Sequence, residues 1–222
     1  MKKIVFLLLL VLFNVNIYAQ VEIKGSMGIN FLSMPSLTDY INQSDLTPPN
    51  QELGTFNSAV IFAGEIGTFI NKDFEISLEV PYQIYSYTEN IAGAGQYELA
   101  FNLIPASVLA YYVINGNGYN FKFGVGAGPR FVNVTEKKKW LPSEVSYSSI
   151  GFGGILRIEG NTILSDNVYA NIGLDLRYDL NGEPENGNGN KLINIVQNEV
   201  VNMNTFSMGL RLGISYLIGG SN

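Results

Sequence analysis

The 222-residue chain contains neither cysteine nor histidine. Without cysteine, no disulfide framework holds it together, so its fold rests on packing and hydrogen bonding. Without histidine, the general base most common in hydrolases is missing, and Ser–His and Cys–His mechanisms are excluded as usually built. Charge is scarce as well, at 14% of residues, and basic charge is the scarcer sign. The formal net charge of −6 becomes −8 once Lys2 and Lys3 are set aside with a leader, leaving 11 basic residues against 19 acidic. Nucleic-acid partners need a basic surface, so this balance excludes them. Finally, no apolar run approaches the roughly 20 residues a helix needs to cross a bilayer. The most continuous one, Ile4–Phe13, has ten.

That run has a clear reading. Lys2-Lys3 precede it, Asn14 and Asn16 follow, and a small Ala19 closes the segment. A basic start, a short apolar core and a small residue at the break describe a cleaved secretory signal peptide over residues 1–19. A single domain, residues 20–222, is expected to follow, and any membrane residence must then come from strands.

What the chain has in quantity is aromatics, at 12%, and 24 glycines. Side chains alternate over eight segments: Val21–Leu32, Ser58–Ile70, Phe74–Tyr87, Tyr97–Ile114, Tyr119–Val134, Ser149–Ile163, Val168–Leu180 and Met203–Leu217. The joints Asn71-Lys72-Asp73, Asn115-Gly116-Asn117-Gly118 and Ser165-Asp166-Asn167 are short and rich in residues that accept positive φ. The others, 33–57, 88–96, 135–148 and 181–202, are longer. Short and long alternate, which places all short turns at one end. The fold class this predicts is all-β: an eight-stranded antiparallel up-and-down transmembrane β-barrel with short periplasmic turns and longer extracellular loops.

Fourteen charged residues fall within the strands: Glu22, Lys24, Glu65, Glu75, Glu79, Glu98, Lys122, Arg130, Arg157, Glu159, Asp175, Arg177, Asp179 and Arg211. Each is assigned the parity opposite the apolar face of its strand. Ten glycines share that parity, at 28, 67, 124, 126, 128, 151, 153, 173, 209 and 213. A water-facing surface would favour Lys, Glu or Thr there, whereas a crowded lumen needs small residues beside large charged ones. The charges are therefore expected to form a structural network inside a narrow barrel, paired because buried charges must be. On the lipid side, Phe74, Tyr111, Tyr119 and Tyr216 are placed near the short-turn end, and Phe31, Phe131, Phe152 and Phe206 near the loops, as two aromatic girdles. Pro105 interrupts strand four, where a bulge is expected.

With these features the chain resembles the eight-stranded outer-membrane β-barrel family, the porin-like group that includes OmpX-, OmpA- and OmpW-type barrels. The resemblance rests on the topology, on Gly124-Val-Gly-Ala-Gly-Pro-Arg130, on Pro105 with Tyr111-Tyr112, and on the last strand. There, Arg211, Gly213, Tyr216 and Ile218 match the family's closing-strand signal for assembly, with Ile218 in place of the usual final aromatic. The resemblance implies a monomeric integral protein of a Gram-negative-type outer membrane. It also implies contact with outer-membrane lipid and lipopolysaccharide, and with the barrel-assembly machinery during insertion.

No cofactor and no metal are expected. Gly124-x-Gly-x-Gly lies inside a strand and lacks phosphate-loop spacing. Asp179, Asn181, Glu183 and Glu185 collect oxygen ligands, but without a full calcium-loop pattern. Lys137-Lys138-Lys139-Trp140 reads as a solvated loop ahead of a lipopolysaccharide contact. Leu37, Tyr40 and Ile41 fit one face of a short helix capped by Ser36, with two roles open to it, a lid over the mouth or a contact with a partner. The function expected is non-enzymatic: a barrel with a largely closed lumen and loops for envelope or partner interaction. A small solute channel is the alternative, and a soluble lipid-binding barrel the third choice.

Overall fold

The computed structural model describes residues 20–43, 58–91, 95–138 and 144–219; the expected leader lies outside them. The chain forms β1 (Val21–Ser33), α1 (Pro35–Gln43), β2 (Ala59–Asn71), β3 (Phe74–Ile91), β4 (Gly95–Ile104), β5 (Ser107–Asn115), β6 (Tyr119–Lys138), β7 (Val145–Ser165) and β8 (Val168–Leu180). Three two-residue strands follow, β9 (Glu185–Asn186), β10 (Ile193–Asn194) and β11 (Glu199–Val200), and then β12 (Thr205–Ile218).

β4 and β5 act as one stave, because they keep a single register against β3 and against β6 across Pro105 and Ala106. Eight antiparallel staves result, and β1 pairs with both β2 and β12 to close the ring. Within the ring, closure pairs both edges of each stave, the requirement for a sheet in hydrocarbon. Three tight turns gather at one end. Asn71 accepts the Asp73 amide, Gly118 takes φ 81°, and Ser165 pairs directly with Val168.

Alternation decides the two faces. The outward rows are apolar and uncovered, with Met27 56% exposed, Leu212 59% and Val125 58%. The inward rows bury polar and charged side chains instead. This is the inverse of a water-soluble barrel and the pattern of one set in lipid.

The strands overrun the expected boundaries at the loop end. β3 and β4 pair up to Ile91 and Gly95, and β6 and β7 up to Glu136 and Val145. The connection expected at 88–96 therefore shrinks to residues 92–94, because Thr88-Glu89-Asn90 continue the ladder as polar strand. The bulge expected at Pro105 is absent, and the proline causes only a two-residue gap in the pairing. The lid helix forms but is not capped by Ser36. It starts at Pro35, a residue well suited to a first helical turn, and the Ser36 hydroxyl instead accepts the Asn202 amide at 3.0 Å.

Candidate functional site in the barrel lumen and mouth

The lumen is layered from the turn end to the loop end. Nearest the turns, a vestibule of about 530 Å³ leads to Glu22. There Lys122 pairs with Glu22 and, at 2.7 Å, with Glu75, while Lys24 pairs with Glu159 at 2.8 Å and Glu65 at 3.5 Å. Both ammonium groups also lie over the Tyr111 ring, at 5.5 and 5.8 Å.

The next layer is an arginine cluster around two carboxylates. Glu79 receives Arg157 at 2.5 Å, Arg177 at 2.8 Å and Arg211 at 2.9 Å. Asp175 receives Arg157 and Arg211, both at 2.6 Å, and Arg177 at 3.3 Å. Arg157 reaches Glu65 as well, at 2.9 Å, and donates to the Tyr111 hydroxyl at 3.0 Å. Above it, Asn30 donates to Gln83 at 2.7 Å. Arg130 pairs with Asp179 and donates to the Ala106 carbonyl at 2.8 Å.

Small residues make room for this. A Cβ on Gly124 would fall 2.5 Å from the Tyr111 ring, and one on Gly153 would meet Arg130 Nε at 2.6 Å. Gly25 and Gly64, on the outward face, have open space. Gly173 is the exception among the inward glycines, with nothing closer than 3.7 Å.

Two placements need correction. Glu98 is not a lumen residue. Its side chain is 40% exposed and pairs loosely with Lys137 at 3.4 Å on the outside of the protruding sheet. Tyr111, assigned to lipid, is buried in the lumen, and Tyr112 faces out. The cause is common to both. Strand four carries apolar residues on both faces, so alternation is silent there. Its one charge sits beyond the apolar band, where a carboxylate can face outward into water. The other twelve residues of the expected network, and Asp179, are all buried inside.

The loop end is different in kind. An apolar plug fills the mouth, made of α1 (Leu37, Tyr40, Ile41), the strand residues Tyr97, Leu99, Phe101, Leu103, Val132 and Val134, and Leu192, Val201 and Met203 of the last connection. Within it, Glu136 is buried and accepts hydrogen bonds from Tyr40 at 2.7 Å and Tyr97 at 3.0 Å, with Lys138 at 3.3 Å. Burial, then the adjacent Glu136 carboxylate, pushes the Tyr40 phenol upward, so it stays a donor. Sequence reasoning missed Glu136 by ending strand five at Val134. Extending the lumen parity of Lys122 and Arg130 two more residues would have found it.

The oxygen-rich set at 179–185 does not converge. Asp179 holds Arg130, Asn181 donates to the Met203 carbonyl, and Glu183 pairs with Lys191. Among the described residues, no group of three His, Cys, Asp or Glu could hold a metal. Of the basic loop, Lys137 and Lys138 are tied to Glu98 and Glu136, and residues 139 and 140 lie outside the described residues.

A closed eight-stave ring with an apolar exterior and a charged interior is the fold of eight-stranded outer-membrane β-barrel proteins, and this chain has it. Among solved structures it is similar to Ail, the attachment invasion locus protein of Yersinia pestis, in complex with the heparin analogue sucrose octasulfate. The TM-score is 0.52 at 11% identity, covering 90% of this chain and 99% of that one. It is similar also to a major outer membrane protein from Thermus thermophilus, with TM-score 0.51 and 13% identity, covering 89% and 99%. At these identities the likeness concerns the fold. No family model and no curated protein matches the sequence.

Proposed function

We propose that the chain is a monomeric, non-enzymatic outer-membrane barrel whose lumen is closed and whose loop end serves envelope contacts. Residues 1–19 act as its cleaved leader. Arg211, Gly213, Tyr216 and Ile218 present the closing strand to the assembly machinery. The observation that carries the closed reading is the double obstruction of the lumen. A bonded charge network spans its lower part, and an apolar plug anchored by α1 fills the mouth. Ions crossing it would have to separate Glu79 from three guanidinium groups and then traverse hydrocarbon. Buried ion pairs resist such separation, since the charge left behind has no water to solvate it. The non-enzymatic reading is supported by the absence of histidine and by the occupation of every lumen carboxylate with a cation.

Liposome conductance of the refolded protein tests this. Closure predicts no current above protein-free bilayers, and steady single-channel openings would replace it with the solute-channel reading.

A further inference from the structure

One cavity takes no part in the lumen or the plug. It has a volume of about 440 Å³, in the range of small-ligand sites, and it opens on the outer wall at the loop end. Its floor is a cross-strand row on three adjacent staves: Ser33 of β1 pairs with Phe206 of β12, which pairs with Tyr178 of β8. All three point outward, with Phe206 49% and Tyr178 57% exposed. On β1 the outward apolar series ends one step below, at Phe31, and Ser33 follows it. The floor thus lies at the upper edge of the apolar band, where aromatics meet the lipid headgroups.

The two walls come from distant parts of the chain. One is the N-terminal half of α1, with Ser36 and Asp39; the other is the β10–β11 hairpin, with Asn194, Gln197 and Glu199. The bond from the Asn202 amide to Ser36 ties them together. The hairpin also exposes the apolar side chains Ile195, at 82%, and Val196, at 63%. An exposed apolar tip beside a cleft floored by outward-facing Phe206 and Tyr178 is within the chemistry that acyl chains can cover.

The lining chemistry selects the headgroup. It offers two carboxylates, several amides, hydroxyls and two aromatic faces, and, among the described residues, no lysine or arginine. Carboxylates and amide oxygens accept from hydroxyl groups, and amide NH2 groups donate to them. Phosphate would meet Asp39 and Glu199 with no cation to offset the repulsion. From this juxtaposition, a polar, base-free cleft floored by aromatics at the bilayer edge and flanked by an apolar finger, we propose that the cavity binds the uncharged sugar headgroup of an outer-leaflet glycolipid. The proposal deepens the envelope-contact reading and rests on the chain being an outer-membrane barrel.

The test is native mass spectrometry of protein extracted from vesicles of phosphatidylethanolamine, phosphatidylglycerol and monoglucosyl diacylglycerol. The expected result is one retained glycolipid per chain, enriched at least about fivefold over its share of the bilayer. The double variant Asp39→Asn/Glu199→Gln should return it to the bulk ratio. Both side chains are on the surface, and heat-modifiable gel migration verifies that the variant barrel is folded. Ile195→Asp/Val196→Asp should also release the lipid while leaving the cleft residues in place. A bulk ratio in the native protein, enrichment of either phospholipid over the glycolipid, or retention unchanged in Asp39→Asn/Glu199→Gln would overturn the proposal. So would binding of free methyl glucoside with no glycolipid retained, which would assign the cleft to a soluble sugar. A conducting lumen would sink the closed-barrel reading and leave this one intact; a bulk lipid ratio from a non-conducting barrel would do the reverse.

Discussion

Arg157 on β7 and Glu79 on β3 meet at 2.5 Å across the lumen, and Glu79 is fully buried there. Staves three places apart are thereby joined through the lumen by side chains alone. Because Glu79 also receives Arg177 and Arg211, its loss leaves three guanidinium groups sharing Asp175 and Glu65. Breaking a buried pair from one side typically costs about 3–5 kcal/mol. Glu79→Gln should therefore lower the urea midpoint of the heat-modifiable gel transition by a corresponding amount. A loss below about 1 kcal/mol would mean that the cluster does not brace the barrel.

The exposed pair Glu98–Lys137 gives the contrasting case. Surface pairs contribute about 0–1 kcal/mol. Glu98→Ala should leave the same transition within that range, whereas Glu75→Ala, which deprives the buried Lys122 of one of its two carboxylates, should shift it clearly. Equal effects from the two variants would restore Glu98 to the network.

These contrasts also mark what was legible in the sequence. Six staves declared their faces because a charge or glycine marked the inner parity and a branched or aromatic residue the outer, while strand two was mixed, with Ile61 and Phe69 on the face of Glu65. β12 is the clearest, with Arg211 and Gly213 against Leu210, Leu212 and Ile214. Strand four was illegible because Leu103, Leu109, Tyr111 and Val113 point inward while Val108, Tyr112 and Ile114 point outward, so both faces read as lipid. The apolar plug was only half visible. Leu37, Tyr40 and Ile41 announced a helix, but their partners Tyr97, Phe101 and Val134 are far away along the chain, and local periodicity carries no information about such contacts. Pairing partners within the charge network were equally out of reach, since the inventory of charges does not say which stave faces which.

Glycine positions separate the two faces experimentally. In Gly153→Ala the new methyl would press on Arg130 and Asp179, an overpacking that typically costs about 1–3 kcal/mol. In Gly25→Ala the methyl enters open space on the lipid side, and removing a strand glycine should leave stability unchanged or raise it by up to about 1 kcal/mol. Refolding yield and urea midpoint in detergent micelles distinguish the two. Matching losses at both sites would contradict the face assignment.

The lipid face can be probed by charge. Leu210 and Leu212 are outward and uncovered near the middle of β12. An arginine near the bilayer midplane of a barrel costs about 2–4 kcal/mol, falling toward zero at the interface. Leu212→Arg should thus destabilise the barrel in lipid vesicles by that amount, while the same change at Ile218, at the end of the strand, should cost much less. Equal, small effects at both positions would indicate an exterior bathed in water.

The lid is the last device to test, and it is sensitive to alkali. Tyr40 on α1 donates to Glu136 on β6 at 2.7 Å, a bond to a carboxylate of the kind worth about 1.5–3 kcal/mol. Tyr40→Phe removes it and leaves Tyr97 as the remaining phenol on Glu136. Hydrogen exchange of the Thr38 amide, which is bonded to the Met34 carbonyl at 3.0 Å, should accelerate accordingly. The pH dependence follows from the raised Tyr40 phenol. A group held protonated in the folded state contributes its full stability below its unfolded pKa, about 10 for tyrosine, and loses it as the pH climbs beyond that value. Protection of α1, corrected for intrinsic exchange, should therefore stay level from about pH 7 to about 9 and fall above about 10. In Tyr40→Phe that fall should be much reduced. An unchanged alkaline fall in the variant would show that Tyr40 is not the latch, and that the helix is held by its apolar face alone.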